Sequence, residues 1–432
     1  MQITMPYGHT ALSGDAPWAD HLATLEVAHT PALADVASVA REAFQHPIGG
    51  APLQERIQRG ESVAIIVSDS FRQTRIDEVL PELLRTLRSC GVQDEDILFV
   101  YSTGTHRGPT PDEERWILGS DVYEHLRGQT LTHNPFDPAG LIELGVTSRG
   151  TRVLLNRHVL ERDRLIVTGT VVLHYFGGYG GGRKSILPGI AGVETIAQNH
   201  ARNLHPTEDR LDSAVRIGAL DGNPVAEDMF EGASLCHTDF LINTVLNRDG
   251  KIAGLFAGEL DAAHRAAARF AHALYAVEID ELADLAVASA GAARNFIQSH
   301  KALFNAYQSV KPGGRIIFLA AAPEGFGGNK FSQWLSLGGR AAIIRELRKN
   351  AEINGQTALS TREKAAITLF VTELPAEEVA LLGGRKANSL QEALDTAHAE
   401  FQAQGIPRPT LTLLPSASYT VPFPRSQSVS LA

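Results

Sequence analysis

SVAIIVSDSFRQTRIDEVLPELLRTLRSCGVQDEDILFVY, residues Ser62 to Tyr101, is the stretch that decides the fold class of this chain. The apolar run Ser62 to Val67 is typical of a buried strand, and Ile97 to Tyr101 is a second such run. Between them, Glu78 to Ser89 carries apolar residues at helical spacing. A strand, a helix and a strand in this order predict a parallel pair joined by a helix, the building unit of α/β proteins.

The same alternation continues along the chain. Further strands are predicted at Leu165 to Leu173, Leu285 to Ser289, Arg315 to Ala321, Ile367 to Val371 and Thr410 to Leu414, and further helices at Asp261 to Leu274, Ser299 to Val310 and Leu390 to Phe401. We expect the turn Pro312-Gly313-Gly314 to separate a helix from the strand that follows it.

The length of 432 residues exceeds what one ordinary core accommodates, so two domains are expected. We predict an α/β protein whose two domains have mainly parallel, Rossmann-like sheets, with the active site in the cleft between them. The predicted boundaries are 1–275 for the first domain, to which 405–432 returns, and 276–404 for the second.

Composition and charge exclude several classes of function. Hydrophobic content of 44% and charged content of 20% are typical of globular proteins. A net charge of -10 argues against nucleic acid or an anionic membrane surface as a partner. Cys90 and Cys236 are the only cysteines, too few for a disulfide framework or a thiolate metal site. The N-terminal residues lack the features of a signal peptide, and no apolar run approaches the ~18 residues of a membrane span, so a cytoplasmic location is expected.

Polar residues follow three of the predicted strands. Ser68-Asp69-Ser70-Phe71-Arg72 comes after the first strand, Gly104-Thr105-His106-Arg107 after the second, and His174 after the strand Leu165 to Leu173. Ligands of open α/β sheets bind beyond the carboxyl ends of the strands, so we expect these clusters to converge on one site. Each cluster alone is weak, because an aspartate in this place often caps a helix and arginine is usually solvated.

The segment HYFGGYGGGRKSILPGIAGVETIAQNH, His174 to His200, is the most unusual part of the sequence. Its glycines allow backbone N–H groups to approach an anion, and Arg183 and Lys184 supply positive charge. It is not a P-loop, because Arg183 stands where lysine is required and Pro188-Gly189 interrupts the helix that should follow. A flexible surface loop and an anion-binding loop both remain open for a glycine run of this kind.

The pattern H-x-F-G-G-Y-x-G-G-R-K-S-I-L-P-G-I-A-G, followed by T-x-x-x-N-H, resembles the nickel-pincer lactate racemase family. The resemblance implies that Lys184 is joined covalently to a pyridinium-derived nickel-pincer nucleotide and that His200 is a nickel ligand. His174 and, in its G-T-H-R turn, His106 match the two acid/base histidines of the family. Further cofactor contacts are implied at Gly177, Gly178 and Tyr179.

Two shorter segments extend the resemblance. The S-D-x-x-R run makes Arg72, rather than Arg75, the match to the substrate-binding arginine, and Asp69, Ser70, Phe71 and Arg72 fall on cofactor-contacting positions. Phe71 and Gln73 replace the usual threonine and proline.

In the second domain, R-N-F-I-Q-S-H-K-A-L resembles a segment of the family that contacts cofactor and substrate. The match makes Gln298 a cofactor contact and Lys301 a contact for both cofactor and substrate. Ile297 replaces a tyrosine there, so the resemblance implies lactate itself less firmly than a 2-hydroxy acid in general. Without the resemblance, Gln298 and Lys301 would be read as a polar helix face. Gly325-Phe326-Gly327-Gly328 also resembles a family segment, without an assigned role.

The resemblance implies an isomerase, a racemase or epimerase of small 2-hydroxy acids that uses proton-coupled hydride transfer and depends on cofactor-synthesis proteins of the host. The residue types agree with this chemistry. Arg72 and Lys301 suit a carboxylate, and imidazoles such as His106 and His174 can accept and return a hydroxyl proton near neutral pH. Two other classes stay open: a metal-free two-base racemase using the same histidines, and a non-catalytic module that binds an anion with the glycine loop and Arg183.

Overall fold

The structure, a computed structural model, describes residues 1–425. The chain forms two compact units. Unit 1 contains Met1–Ala28, Leu204–Leu211 and the described residues from Tyr275 on, and unit 2 contains His29–Asn203 and Asp212–Leu274. Within residues 1–425, no helix is long and apolar enough to cross a membrane.

The strands, in chain order, are β1 (Gln2–Tyr7), β2 (Thr10–Asp15), β3 (Asp20–Thr24), β4 (Val63–Ser68), β5 (Ile97–Ser102), β6 (Thr130–Thr132), β7 (Leu141–Val146), β8 (Arg152–Asn156), β9 (Arg164–Thr170), β10 (Leu173–His174), β11 (Gly178–Tyr179), β12 (Phe240–Leu246), β13 (Ile252–Gly258), β14 (Ala276–Ile279), β15 (Ala283–Ser289), β16 (Val310–Leu319), β17 (Thr368–Val371), β18 (Arg385–Ala387), β19 (Thr410–Leu414) and β20 (Val421–Pro424).

The α-helices are α1 (Val36–Gln45), α2 (Leu53–Arg56), α3 (Leu80–Ser89), α4 (Pro111–Leu118), α5 (Ser120–Leu126), α6 (Arg157–Leu160), α7 (Val193–Ala201), α8 (Pro224–Ser234), α9 (Leu260–Tyr275), α10 (Phe296–Tyr307), α11 (Asn329–Ser336), α12 (Arg340–Lys349), α13 (Ile353–Ala365), α14 (Ala376–Leu382) and α15 (Leu390–Ala403). Short 3-10 helices occupy Ile76–Glu78, Asp94–Asp96, Arg127–Gln129, Pro138–Gly140 and Gly182–Ser185.

Unit 2 is built on a sheet with the strand order β13-β12-β9-β4-β5-β6. All neighbouring strands are parallel except the pair β12 and β13. Every residue of β4 is buried, as expected for a strand covered on both faces by helices. Helix α3 buries Leu80, Leu83, Leu84 and Leu87 on one side, so its apolar spacing is the reason it packs on the core.

Unit 1 has a six-stranded sheet with the order β18-β17-β16-β15-β19-β3, and all of its pairs are parallel. The predicted α/β class, with mainly parallel sheets, is therefore confirmed. The central strands β15 and β16 are mostly apolar and buried, which matches the short apolar runs that predicted them.

Two predicted elements differ in detail. The run Leu165 to Leu173 is not one strand: β9 ends at Thr170, and Leu173–His174 pairs with Gly178–Tyr179 in a small hairpin. The turn Pro312-Gly313-Gly314 lies inside β16, where the pairing with β15 skips from Ala283↔Val310 to Leu285↔Arg315. The turn residues form a bulge in the strand, and α10 ends earlier, at Tyr307.

The predicted domain boundaries differ from the two units. The prediction that 405–432 returns to the first domain is wrong for the described part, because β19 pairs with β15 and β3 in unit 1. Residues 1–28, predicted to lie in the first domain, also belong to unit 1, where β3 is the edge strand. A short apolar strand fits either sheet, so its partner is decided by non-local pairing. Residues 426–432 lie outside the described residues.

Candidate active site

The loops that follow β4, β5 and β9 in unit 2 carry the candidate residues, as predicted from their order along the chain. Backbone hydrogen bonds tie two of these loops together: Gly104 N donates to Gly189 O at 2.9 Å, and Gly189 N donates to Lys184 O at 3.0 Å. The hydroxyl of Ser185 donates to Thr168 O of β9 at 2.7 Å. The glycine-rich segment is therefore anchored to the carboxyl end of the sheet.

Asp69 and His106 form a close pair. Asp69 is buried, and its Oδ2 lies 2.6 Å from Nδ1 of His106. Since a carboxylate accepts, Nδ1 of His106 carries the proton and Nε2 is left as the acceptor. The other carboxylate oxygen, Oδ1, accepts from Phe71 N at 3.2 Å. Asp69 is thus not a helix cap; it orients a histidine.

The two arginines near Asp69 have different surroundings. Arg75 pairs with Glu78 at 2.6 Å and with Asp77 at 3.5 Å. Arg72 is half-buried, and within residues 1–425 no carboxylate pairs with its guanidinium. The structure therefore favours Arg72 over Arg75 as the residue available to an anionic substrate. Arg107 is committed elsewhere, because it holds Glu113 through two contacts of 2.6 Å.

His174 has the opposite arrangement to His106. It is buried at the end of the hairpin strand β10, and its Nδ1 accepts from Gly177 N at 3.2 Å. A backbone N–H can only donate, so Nδ1 of His174 is an acceptor, and Nε2 carries the proton in the neutral ring. The two candidate acid/base histidines therefore present opposite Nε2 functions, an acceptor on His106 and a donor on His174.

Phe176 is the residue around which the other candidates gather. Its ring lies 4.6 Å from the ring of His174 and 4.8 Å from the ring of His200, measured between centroids. Nζ of Lys184 lies 5.1 Å from the same ring centroid. The three candidate side chains from the glycine-rich segment and α7 are thus brought together on one aromatic ring. The sequence pattern contained Phe176, but nothing in it indicated this central position.

His200 is suited to be a metal ligand. It is buried in α7, and burial, with a contribution from Lys184, lowers its pKa to about 3. The ring is therefore neutral at physiological pH and keeps a lone pair for a metal such as nickel. Within residues 1–425, no group of three or more His, Cys, Asp or Glu side chains could hold a metal ion by itself. His200 can therefore supply one ligand to a metal.

At Gly178 the backbone of the glycine-rich segment leaves no space for a larger residue. A Cβ on Gly178 would lie 2.0 Å from Ala219 O, and Gly178 has a φ of +72°. A Cβ on Gly177 would lie 3.4 Å from Nζ of Lys184. The lysine amine therefore lies directly beside bare backbone, an arrangement that fits a nucleotide-like group attached at Lys184. Lys184 itself is buried.

Helix α9 braces this segment with residues that the sequence analysis missed. The guanidinium of Arg183 donates to Gly177 O at 2.9 Å and contacts Nδ1 of His264 at 3.1 Å. Nε2 of His264 in turn lies 2.9 Å from Gly180 O. Arg183 is buried, and burial lowers its pKa to about 10. It therefore supports the loop rather than an anion, which argues against the anion-binding module that relied on it.

Tyr179 is held by the same helix. Its side chain is buried, and its hydroxyl lies 3.0 Å from Nδ1 of His272. A contact between Tyr179 and a cofactor would therefore involve its backbone. His264 and His272 stand about two turns apart on one face of α9, so their shared direction was readable from the sequence, although their partners were not.

The unit 1 candidates lie on α10, where Gln298 and Lys301 are both exposed. Oε1 of Gln298 accepts from Arg294 N at 3.0 Å, so part of its role is local, as the polar-face interpretation predicts. The segment Gly325 to Gly328 holds the start of the helix: Gly325 O accepts from Phe296 N at 3.0 Å and Phe326 O from Ile297 N at 3.1 Å. The segment without an assigned role thus positions the helix that carries both candidates.

The fold and the site define an α/β enzyme with two candidate histidines, His106 and His174, beyond the carboxyl ends of parallel strands. Residues 7–211 match the family model of the lactate racemase N-terminal domain. The chain is 32% identical over 335 residues to a lactate racemase of Lactiplantibacillus plantarum. The matched region covers 76% of this chain and 77% of that protein. It is 30% identical over 337 residues to the lactate racemase of Thermoanaerobacterium thermosaccharolyticum, with 77% of each chain covered. The chain belongs to the lactate racemase family, and it is an isomerase.

Solved structures agree with this family assignment. The lactate racemase apoprotein from Thermoanaerobacterium thermosaccharolyticum superposes with a TM-score of 0.87 at 26% identity, covering 98% of this chain and all of that chain. A protein from Thermotoga maritima has a TM-score of 0.64 at 16% identity, over 90% of this chain and 98% of its own, and shows the fold alone. The relatives act on a small molecule, so a small-molecule substrate follows for this chain.

Proposed function

We propose that this chain racemises or epimerises a lactate-like 2-hydroxy acid by proton-coupled hydride transfer, using a nickel-pincer nucleotide attached at Lys184 and ligated through nickel by His200. The observation that carries the proposal is the gathering of His174, Lys184 and His200 on the ring of Phe176. An acid/base group, an amine and a neutral imidazole lie within one small volume, as this chemistry requires. The description of a relative's structure as an apoprotein also supports a bound cofactor.

The protein residues handle the proton and the carboxylate. The guanidinium of Arg72 binds the substrate carboxylate, with Lys301 of unit 1 as its proposed second cation. Nε2 of His106 accepts the hydroxyl proton, and Asp69 stabilises the resulting imidazolium through Nδ1. On the other side of the planar 2-keto acid, His174 donates the proton that restores the hydroxyl from Nε2 of its imidazolium form, after Nδ1 has taken up a proton from solvent in place of its contact with Gly177 N. In the reverse direction the two histidines exchange these tasks.

The bound nickel-pincer nucleotide supplies the acceptor and donor of the C2 hydrogen as hydride, which no amino-acid side chain can supply. Lys184 and His200 would hold it, with backbone contacts from Gly177, Gly178 and Tyr179. Family likeness adds proposed contacts from Asp69, Ser70, Phe71, Arg72, Gln298 and Lys301. Their convergence in a cleft between the two units stays a prediction.

Loading of the cofactor requires cofactor-synthesis proteins of the host. The free thiols Cys90 and Cys236 support a reducing, cytoplasmic location.

A label experiment tests the proposal against the metal-free two-base alternative. In that alternative, histidines abstract the C2 proton, which then exchanges with water, while Lys184 and His200 have no task. With C2-deuterated lactate or another 2-hydroxy acid racemised in ordinary water, hydride transfer keeps deuterium in the product. We expect retention in the cofactor-loaded protein and no racemisation by the unloaded protein. Extensive loss of deuterium to the solvent, measured by mass spectrometry of both enantiomers, would contradict hydride transfer.

A further inference from the structure

Phe71 is an exposed aromatic residue at the proposed acid/base centre. Its side chain is 54% exposed, yet its ring centroid lies 4.8 Å from that of His106, with 52° between the ring planes. Asp69 holds both residues, since one carboxylate oxygen binds Nδ1 of His106 and the other accepts from Phe71 N. The position of this ring is therefore coupled to the position of the proton-accepting histidine.

A second neighbour fixes the ring from another direction. Cζ of Arg107 lies 5.2 Å from the Phe71 ring centroid, and Glu113 holds that guanidinium through two contacts. Glu113 also accepts from Thr110 N at 2.8 Å, which ties the arrangement to the start of α4. The ring thus has a defined place and still offers a large part of its apolar surface to a ligand.

The reaction geometry brings the substrate to this surface. A hydroxyl that gives its proton to Nε2 of His106 must lie within roughly 2.6–3.2 Å of that nitrogen. The C2 substituent is two bonds from that oxygen, while the carboxylate is expected at Arg72, the residue next to Phe71. The substituent therefore comes within contact distance of the Phe71 ring. A methyl group would cover little of that ring, whereas an aryl or branched alkyl group would cover much more.

We infer that Phe71 is a specificity-determining residue and that the preferred substrate is a 2-hydroxy acid with an aromatic or branched apolar C2 substituent larger than methyl. The inference rests on the proposed function and deepens it by naming the substrate class.

The test compares substrates on the cofactor-loaded protein. Racemisation kinetics are measured for 2-hydroxy-3-phenylpropanoate, 2-hydroxy-4-methylpentanoate and lactate, with the wild type and Phe71→Ala. We expect kcat/KM of the wild type to be higher for the larger acids by about tenfold or more, and Phe71→Ala to lower that ratio by a similar factor. The matched control is Phe136→Ala, because Phe136 is also exposed, at 61%, in the same unit. It should leave the ratio unchanged.

The possible failures are distinguishable. A wild type that prefers lactate, or a ratio that Phe71→Ala leaves unchanged, overturns this inference and leaves the proposed function intact. A protein that carries the adduct but racemises no 2-hydroxy acid overturns the proposed function. In that case, titration calorimetry of the full chain with 2-hydroxy-3-phenylpropanoate still tests the apolar surface. If wild type and Phe71→Ala bind 2-hydroxy-3-phenylpropanoate with equal affinity in that titration, the role of Phe71 in substrate binding is overturned.

Discussion

At the scale of single residues, the site depends on which nitrogen of each histidine carries the proton. Asp69 selects Nδ1–H on His106, and the backbone of Gly177 selects Nε2–H on His174. In the neutral rings, Nε2 of His106 therefore offers a lone pair, whereas Nε2 of His174 carries a hydrogen. Neither choice was visible in the sequence, because the first depends on Asp69 in another loop and the second on how the hairpin directs Gly177 N toward His174.

Asp69→Asn should reduce kcat by about 10²- to 10⁴-fold, since an asparagine amide can donate to Nδ1 and select the wrong tautomer of His106. Substrate affinity should change much less, because Arg72 is untouched. Steady-state kinetics in both directions, with their pH profiles, give the measurement. Asp77→Asn is the control, because Asp77 lies in the same region and pairs with Arg75. A kcat loss of equal size in both variants would contradict the orienting role.

Lys184→Arg should abolish covalent attachment of the cofactor while keeping the positive charge beside Phe176. A guanidinium has no free amine nucleophile at neutral pH, and its charge is retained. Intact-mass spectrometry of loaded samples should show an added mass on the wild type alone, with similar thermal unfolding of the two proteins before loading. An adduct that persists on Lys184→Arg would move the attachment point to another residue.

At the scale of elements, α9 determines the shape of the glycine-rich segment. Its histidines contact Arg183, Gly180 and Tyr179, so the helix supports the loop that carries Lys184 from the side. In unit 1, the segment Gly325 to Gly328 has a comparable role at the first turn of α10. In both places the candidate side chain is positioned by an element distant in sequence.

Gly182→Ala tests how closely α9 packs on this segment. A Cβ on Gly182 would lie 2.5 Å from Cδ2 of His264, at a φ of +52°. Backbone strain and overlap together should cost about 2–4 kcal/mol in the free energy of unfolding. Gly222→Ala is the matched control, because Gly222 has a φ of +72° but a Cβ added there would meet open space, so about 1 kcal/mol is expected. If both variants lose the same free energy of unfolding in urea, the overlap with His264 contributes nothing to the cost of Gly182→Ala.

At the scale of the whole molecule, buried neutral histidines make stability depend on pH. Burial, followed by the charge of Arg183, lowers the pKa of His264 from 6.5 to about 3, and burial lowers that of His300 in unit 1 to about 4. The unfolded chain then binds protons at a higher pH than the folded chain does. The stabilisation is complete above about pH 6.5 and is lost as the pH falls toward 3.

His264→Gln should make the loss of stability between pH 6.5 and pH 4 less steep, by up to about 1.4 kcal/mol per pH unit. Glutamine can still donate to Gly180 O but does not titrate. Urea unfolding at several pH values, followed on the transition of unit 2, gives the two slopes. His46→Gln is the control, since the His46 side chain is 73% exposed. Identical slopes for wild type and His264→Gln would contradict a buried, neutral His264.

Much of the architecture could be predicted from the sequence because it depends on local pattern. Apolar runs located β4, β5, β15 and β17 to within a residue or two, and helical spacing located α3, α9 and α15. The order of strands along the chain also placed His106 and His174 beyond the carboxyl ends of parallel strands. Strand and helix periodicity are properties of neighbouring residues, so no tertiary information was needed.

Which strands pair and which side chains contact one another was decided by tertiary structure alone. It placed β19 between β15 and β3, buried Lys184 on Phe176, turned Arg183 into a support for the loop, and joined Asp69 to His106. Sequence reasoning identified these residue types but not their neighbours. A contact between residues far apart in the chain depends on how whole elements pack, and a short apolar strand or a single charged side chain is compatible with many such packings.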